Sequence, residues 1–197
     1  LEIPAYDLTF AGANSELKFK PNVVGLLSVG ASLQGLIGFS WGFRTNQTEQ
    51  DVLNKGKTTY EDWRFSFAFK QFLLSLNYSQ YTGFYIENSD LVSPGWTSAQ
   101  PYVQSSDLSS RTAGANFTWN YDPNHFSFVA ALDQTARQEE SGGSWLLGAS
   151  ITDSVFRDSA EIIPMSIQSA FGEDRHLTEG RFLAINIKGG YGHTFVF

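Results

Sequence analysis

The chain has 197 residues, a length that one domain can occupy, and its formal net charge of −7 argues against nucleic acid or an anionic membrane surface as a general partner. Cysteine is absent, which excludes a disulfide framework and a thiolate metal site. Aromatic residues reach 15% and charged residues only 17%, against about a quarter charged in an average soluble domain, a composition typical of a membrane barrel.

The N-terminal part of the chain predicts four strands. Residues 6–10 and 16–20 alternate between apolar and polar side chains, the pattern of a strand with two different faces. The runs 26–33 and Ile37–Arg44 are joined by the tight Gln34-Gly35 connection, which predicts a hairpin. In Ile37–Arg44 the odd positions are large and apolar and the even ones small or polar, which indicates one face toward lipid and one toward water.

A membrane-spanning helix is the alternative for residues 23–39. This segment is apolar and close to the length that a spanning helix requires. It contains four glycines, however, and its apolar residues recur with a period of two. Because glycine weakens a helix, the segment favours strands.

The same alternation recurs in six further runs, and each predicts a strand. These runs are residues 63–70, 72–79, 111–121, 126–132, 145–151 and 183–197. Long polar loops at 45–59 and 87–107 alternate with tight connections, such as the turn signal Asp122-Pro123-Asn124. Outer-membrane barrels show this asymmetry, with short turns on the periplasmic side and long loops outside.

Tryptophan and tyrosine collect near the predicted strand ends. Expected toward the long-loop end are Trp41, Trp63, Tyr78 and Trp145, and expected toward the tight-turn end are Trp119 and Tyr121. Because these amphipathic rings prefer the membrane–water interface, the pattern predicts two aromatic girdles.

Residues 153–180 do not fit the alternation. Their apolar side chains lack a clean period, and the segment falls where a short periplasmic turn is due. We expect an irregular insertion that serves as a plug, a periplasmic cap or a contact with another protomer. A loop of this length without its own structure would count against the strand assignment around it.

The alternation also assigns side chains to three kinds of surface. Expected to face lipid are Phe39, Trp41, Phe43, Trp63, Phe65 and Phe67. Expected in the lumen, as a charged channel lining or as a salt-bridged plug of a narrow barrel, are Arg44, Arg64, Lys70 and Asp133. Small outward residues let two backbones approach closely, and those expected at an oligomer interface are Ala113, Ala115, Ala130 and Ala149.

Several runs resemble those of known outer-membrane proteins. Residues 192–197 resemble the β-signal of such proteins, in which a glycine is followed by spaced aromatic residues and a terminal Phe. Residues 17–22, 83–85, 162–164 and 190–192 resemble a poorly characterised family of porin-like outer-membrane β-barrels with members in predatory bacteria. The resemblance implies an oligomeric, lipid-enclosing assembly. It also implies that the polypeptide of family members often continues past the run at 190–192.

A catalytic alternative rests on His125-Phe126-Ser127, followed by Glu139 and Glu140. These residues are similar to the His-x-Ser and later Glu of outer-membrane lipid A deacylases. A His beside a Ser can act as its general base, with the carboxylate orienting the imidazole. The chain departs from that pattern at Phe128, and it lacks the downstream Asn-Pro-Gly element. The competing interpretation is a turn-flanking His and a serine in the lumen.

We therefore interpret residues 1–197 as a single outer-membrane β-barrel domain with an irregular insertion at about 153–180. The predicted fold is all-β, an antiparallel up-and-down transmembrane β-barrel of about 8–10 strands. The predicted function is non-enzymatic, as a structural or lipid-organising porin-like oligomer in the outer membrane of a Gram-negative bacterium. The expected partners are membrane lipids and further copies of the chain, with no nucleic acid, cofactor or metal. A small-solute channel is the first alternative, a lipid A hydrolase the second and a soluble β-sandwich a more distant one.

Overall fold

The computed structural model describes residues 7–13, 15–23, 26–33, 36–44, 47–132 and 138–196. Over these ranges the fold is all-β, and every pairing between strands is antiparallel. The strands are β1 (Leu8–Ala11), β2 (Glu16–Lys20), β3 (Leu26–Leu33), β4 (Ile37–Arg44), β5 (Thr59–Ala68), β6 (Phe72–Ile86), β7 (Gln104–Asn120), β8 (Gly142–Arg157) and β9 (Glu179–Thr194). The helices are α1 (Glu49–Lys55), α2 (Ser89–Val92), α3 (Phe128–Leu132) and two 3₁₀ helices, Met165–Ala170 and Gly172–His176. No helix in these ranges is long and apolar enough to cross a membrane.

Strands β3 to β9 form a meander in which each strand pairs with the next along the chain. Among the described residues β3 pairs only with β4 and β9 only with β8, so the sheet is open between these two edges. Because every step of the meander is antiparallel, β3 and β9 run in the same direction. The coarse prediction of an all-β antiparallel fold is thereby confirmed.

The hairpin β1–β2 joins this sheet beyond an irregularity in the pairing of β6 with β7. The register of β6 against β7 shifts between Thr82 and Phe84, and Gly83 between them has a φ of 88°. A Cβ at Gly83 would lie 2.1 Å from the carbonyl oxygen of Lys57, so only glycine fits this close approach. Beyond Gly83, β6 no longer pairs with β5, and Ile86 pairs with Phe19 of β2.

The strand predicted at residues 126–132 is wrong. Residues 128–132 form the short helix α3 within the connection from β7 to β8. The apolar alternation there has another cause, because Phe126 and Phe128 are both buried at the end of the sheet. The Asn120 side chain donates a hydrogen bond to the Phe126 carbonyl over 2.7 Å and ties the connection to β7.

Without a strand at 126–132, β8 runs in the direction opposite to the predicted one. The loop that follows β8 therefore lies at the opposite end of the sheet. The connection after β8 lies at the same end as those after β4 and β6, which is the long-loop end. The predicted insertion at 153–180 is also too long, since β8 continues to Arg157 and β9 begins at Glu179. Residues 158–178 therefore form a third long loop, and the expectation of a misplaced periplasmic turn is wrong.

The buried core lies at the long-loop end. It brings together residues of β1–β2, the 158–178 loop and the adjoining parts of β5 to β8. Its members are Leu17, Phe19, Tyr60, Tyr81, Phe84, Ile86, Leu108, Phe156, Ile162, Ile163, Ile167 and Phe171. We call the β1–β2 hairpin together with residues 158–178 the cap. Because Tyr60, Tyr81 and Phe156 share the inward parity of their strands, the cap covers the inner face of the sheet.

Candidate functional site

The outer face of the sheet carries rows of aromatic side chains in cross-strand contact. All six residues predicted to face lipid lie on this face. The ring centroids of Phe39 and Phe65 are 5.0 Å apart, and those of Trp41 and Trp63 are 5.6 Å apart in a stacked arrangement. Phe43 extends the row, with its ring centroid 4.9 Å from that of Trp41. Such cross-strand aromatic pairs stabilise the register in which every odd residue of β4 faces outward.

The apolar outer face continues across the later strands without protein cover. Further exposed side chains on this face are Leu76, Phe117, Leu147, Ile151, Leu183, Ile185 and Ile187. In β9 the exposed fraction reaches 68% for Ile185 and 81% for Ile187. A contiguous exposed apolar surface of this extent marks an interaction with lipid or protein.

Aromatic residues border this apolar surface at both ends. At the long-loop end Trp41 pairs with Trp63 and Trp63 pairs with Tyr78, whose hydroxyl donates to the side chain of Gln80 over 2.6 Å. At the turn end the rings of Trp145 and Tyr191 lie 5.4 Å apart. Trp145 thus belongs to the turn end with Trp119 and Tyr121, and its assignment to the long-loop end is wrong. The cause is the missing strand at 126–132, which reversed the direction assumed for β8.

The inner face is polar and forms a groove of about 540 Å³ over β3 to β6. Ser40, Ser66, Ser75 and Asn77 line it together with Arg64. Gly38 has no side chain, and this leaves room for the Ser66 hydroxyl. A Cβ at Gly38 would lie only 2.4 Å from that oxygen. This face suits contact with water and small polar groups.

The predicted lumen residues have different outcomes. The Arg64 side chain lies on the inner face and forms an ion pair with Asp62 at 2.8 Å, a partner that the sequence analysis missed although i and i+2 share a face. Lys70 lies exposed in the turn between β5 and β6, so its placement in the lumen is wrong. Arg44 ends β4, but its side chain lies outside the described residues, as does Asp133.

Three of the four alanines predicted at an oligomer interface share the outer face. Ala113 and Ala115 lie on β7. Ala149 lies on β8, where it pairs with Phe117 of β7. Ala130 lies in α3 and not on a strand, so it does not belong to this surface. The interface itself stays a prediction.

The predicted catalytic pair is not assembled among the described residues. The imidazole Nδ1 of His125 contacts Asp122 Oδ2 at 2.7 Å. The Ser127 hydroxyl accepts a hydrogen bond from the Ala130 amide over 3.3 Å, as the N-terminal capping residue of a helix does, here α3. Glu139 and Glu140 are exposed. The hydrogen bond from His125 holds the pKa of the Asp122 carboxyl below its usual range.

A second histidine stabilises the cap. His176 Nδ1 lies 2.6 Å from Glu161 Oε1, and this hydrogen bond lowers the pKa of the Glu161 carboxyl. The Gln168 side chain also donates to Glu161. In the described part of the chain, no group of three or more His, Cys, Asp or Glu side chains is placed to hold a metal ion.

Comparison with known proteins gives a family and no function. The comparisons with curated proteins and with solved structures each found no match. A family model described as "Domain of unknown function (DUF4421)" matches residues 3–197, which is nearly the whole chain. The chain therefore belongs to the DUF4421 family.

Proposed function

We propose that this chain forms the wall of a transmembrane β-barrel in the outer membrane of a Gram-negative bacterium. Its role is non-enzymatic, as a porin-like protein that organises lipid or provides structure in an oligomer. The observation that supports the proposal is the contrast between the two faces of β3–β9. One face is apolar, exposed and bordered by aromatic rows, while the other is lined by Ser, Asn and Gly.

The energetics favour lipid as the cover of the outer face. Removing one large apolar side chain from water contributes about 1.5–3 kcal/mol, and many such side chains stand exposed on this face. The aromatic rows support the same conclusion, because Trp and Tyr rings collect at the headgroup level on both sides of a bilayer. A soluble sandwich would instead cover this face with a second sheet.

The proposal requires that the open sheet is closed in the membrane. Backbone polar groups at an exposed sheet edge have no water to bond in the hydrocarbon core, so β3 and β9 must each gain a neighbour. Since these two edges run in the same direction, an all-antiparallel closure needs an odd number of additional strands between them. We propose that such strands complete the barrel.

A small-solute channel is the second candidate, and the polar inner groove favours it. The cap argues for the structural role, because its buried core covers the inner face at the long-loop end. A channel would have to pass this core or displace it. A planar-bilayer recording of the full-length protein separates the candidates: stepwise conductance favours the channel, whereas a silent bilayer containing inserted protein favours the structural role.

The membrane placement is tested by expressing the full-length protein in a Gram-negative host and separating the membranes. We expect it in the outer-membrane fraction, released only by detergent, with different gel mobility before and after boiling in SDS. Light scattering in mild detergent then measures the oligomer. Recovery of the protein in buffer without detergent would contradict the proposal.

A further inference from the structure

Three arginines meet on the outer face at the long-loop end of β7, β8 and β9. Arg111 and Arg181 both pair with Val155 from opposite sides, and Arg157 follows two residues later on β8. Together with Glu179 and Gly180 these residues line a shallow cavity of about 450 Å³.

The arginines stand directly beyond the aromatic row. Tyr78 pairs with Ala113, and Arg111 lies two residues from Ala113 on the same face of β7. The neighbouring Gln80, which pairs with Arg111, accepts the hydrogen bond from the Tyr78 hydroxyl. Since aromatic rows mark the membrane–water interface, the arginines lie at headgroup level in the membrane placement proposed above.

The charges of this cavity suit an anion. Its lining contains three guanidinium groups and one carboxylate, that of Glu179. Arg157 forms an ion pair with Glu179 at 2.6 Å, and Arg181 forms one with Asp153 at 2.5 Å. Each guanidinium has five N–H donors, so one carboxylate partner leaves others for a further acceptor. Arg111 forms no ion pair with any carboxylate of the described residues.

Resting on the proposed function, we infer that Arg111, Arg157 and Arg181 form a binding site for the phosphate of a membrane-lipid headgroup. Guanidinium groups match the phosphate oxygens with paired hydrogen bonds. In the proposed membrane placement the end with the long loops lies outside the cell. Phosphorylated glycolipid forms the outer leaflet there. The site is local, so it is compatible with a chain whose net charge is −7.

The test uses the full-length protein in detergent micelles, titrated with diphosphoryl lipid A, with its dephosphorylated form and with inorganic phosphate. We expect Arg111→Gln to weaken binding of diphosphoryl lipid A about tenfold, because it removes charged hydrogen bonds to the phosphate. Within the described ranges, the substitution deprives no carboxylate of an ion-pair partner. Arg157→Gln and Arg181→Gln together should weaken it further. The matched control is Arg175→Gln, an exposed arginine at the same end but in the cap, which should bind like the wild type.

Two outcomes would overturn the site. One is equal binding of the phosphorylated and dephosphorylated lipid, and the other is an equal loss in Arg111→Gln and Arg175→Gln. If the protein still inserts and changes mobility on boiling, either outcome leaves the proposed function intact. Saturation by inorganic phosphate with no preference for the lipid would also overturn the lipid assignment. A protein that never enters a membrane overturns both the site and the proposed function.

Discussion

The core beneath the cap and the outer face of the sheet differ in how far their apolar side chains are exposed. In the cap region, Phe19 and Phe84 are each 1% exposed and pack in a core that any soluble domain could contain. On the outer face of the edge strand β9, Ile187 is 81% exposed although it is also a large apolar residue. One chain thus contains apolar residues that protein covers and others that protein leaves open. The difference shows that apolar side chains of the sheet are exposed in this fold, and we propose that lipid covers them.

The largest effect is expected in the buried core beneath the cap. Phe84→Ala should lower the free energy of unfolding by about 3–5 kcal/mol, because it empties part of a closed core. Ile187→Ala is the matched control in the sheet and should cost far less, since it leaves no cavity between protein atoms. Urea unfolding of both variants measures the comparison. Similar losses would mean that protein also covers Ile187.

The next effect contrasts the two faces of β5. Phe65→Arg near the middle of the apolar surface should cost about 2–4 kcal/mol in a bilayer, because it places a charge on the face that we propose to contact lipid. Ser66→Arg should cost less, because its side chain opens into the inner groove. Reversible folding into vesicles provides both values. Equal costs would remove the distinction between the faces.

A smaller effect is expected for the alanine surface of β7. Changing Ala113 and Ala115 together to Trp should dissociate the proposed oligomer while the sheet stays folded, because large rings keep two backbones apart. The control is Ala130→Trp, since Ala130 lies in α3 away from this surface. Light scattering in mild detergent reports the mass. Dissociation by the control alone, or a wild-type monomer, would refute the interface.

The smallest effect concerns the exposed ion pair of the cap. Because His176 lowers the pKa of Glu161, the pair stabilises the cap at pH values above the usual carboxyl value of 4.5. This contribution is lost as the pH falls through the lowered pKa, and it is small because both groups are exposed. The protection factors of the β2 amides, which are corrected for the intrinsic pH dependence of hydrogen exchange, should therefore be lower in acid than at neutral pH in the wild type, and Glu161→Gln should reduce that change. An unchanged pH dependence in the variant would exclude the pair as its source.

The sequence predicted the sheet better than the cap, for a physical reason. In Ile37–Arg44 and in β5 the alternation arises from two faces with different surroundings, so it reports the strand and its facing directly. At 126–132 the same pattern arises from two phenylalanines packed at the end of the sheet, and the strand predicted from it is wrong. One false strand then reversed the assignment of Trp145 and of the 153–180 segment.

The cap could not be predicted from local patterns, because its contacts join distant parts of the chain. Phe19 pairs with Ile86, and the Ser166 hydroxyl donates to the Val92 carbonyl over 2.9 Å. No periodicity in either segment encodes such a contact. Phe197, the last residue of the β-signal-like run, and the predicted Gln34-Gly35 turn lie outside the described residues.

The most direct test of lipid on the outer face compares Leu76 and Asn77, two neighbours on β6 that face opposite ways. Since the chain contains no cysteine, Leu76→Cys and Asn77→Cys can each carry one environment-sensitive fluorophore. The labelled protein is inserted into vesicles whose acyl chains bear a quencher. We expect strong quenching for the label at residue 76 and little at residue 77. Equal quenching at both positions, or none at either, would contradict a sheet with one face in lipid.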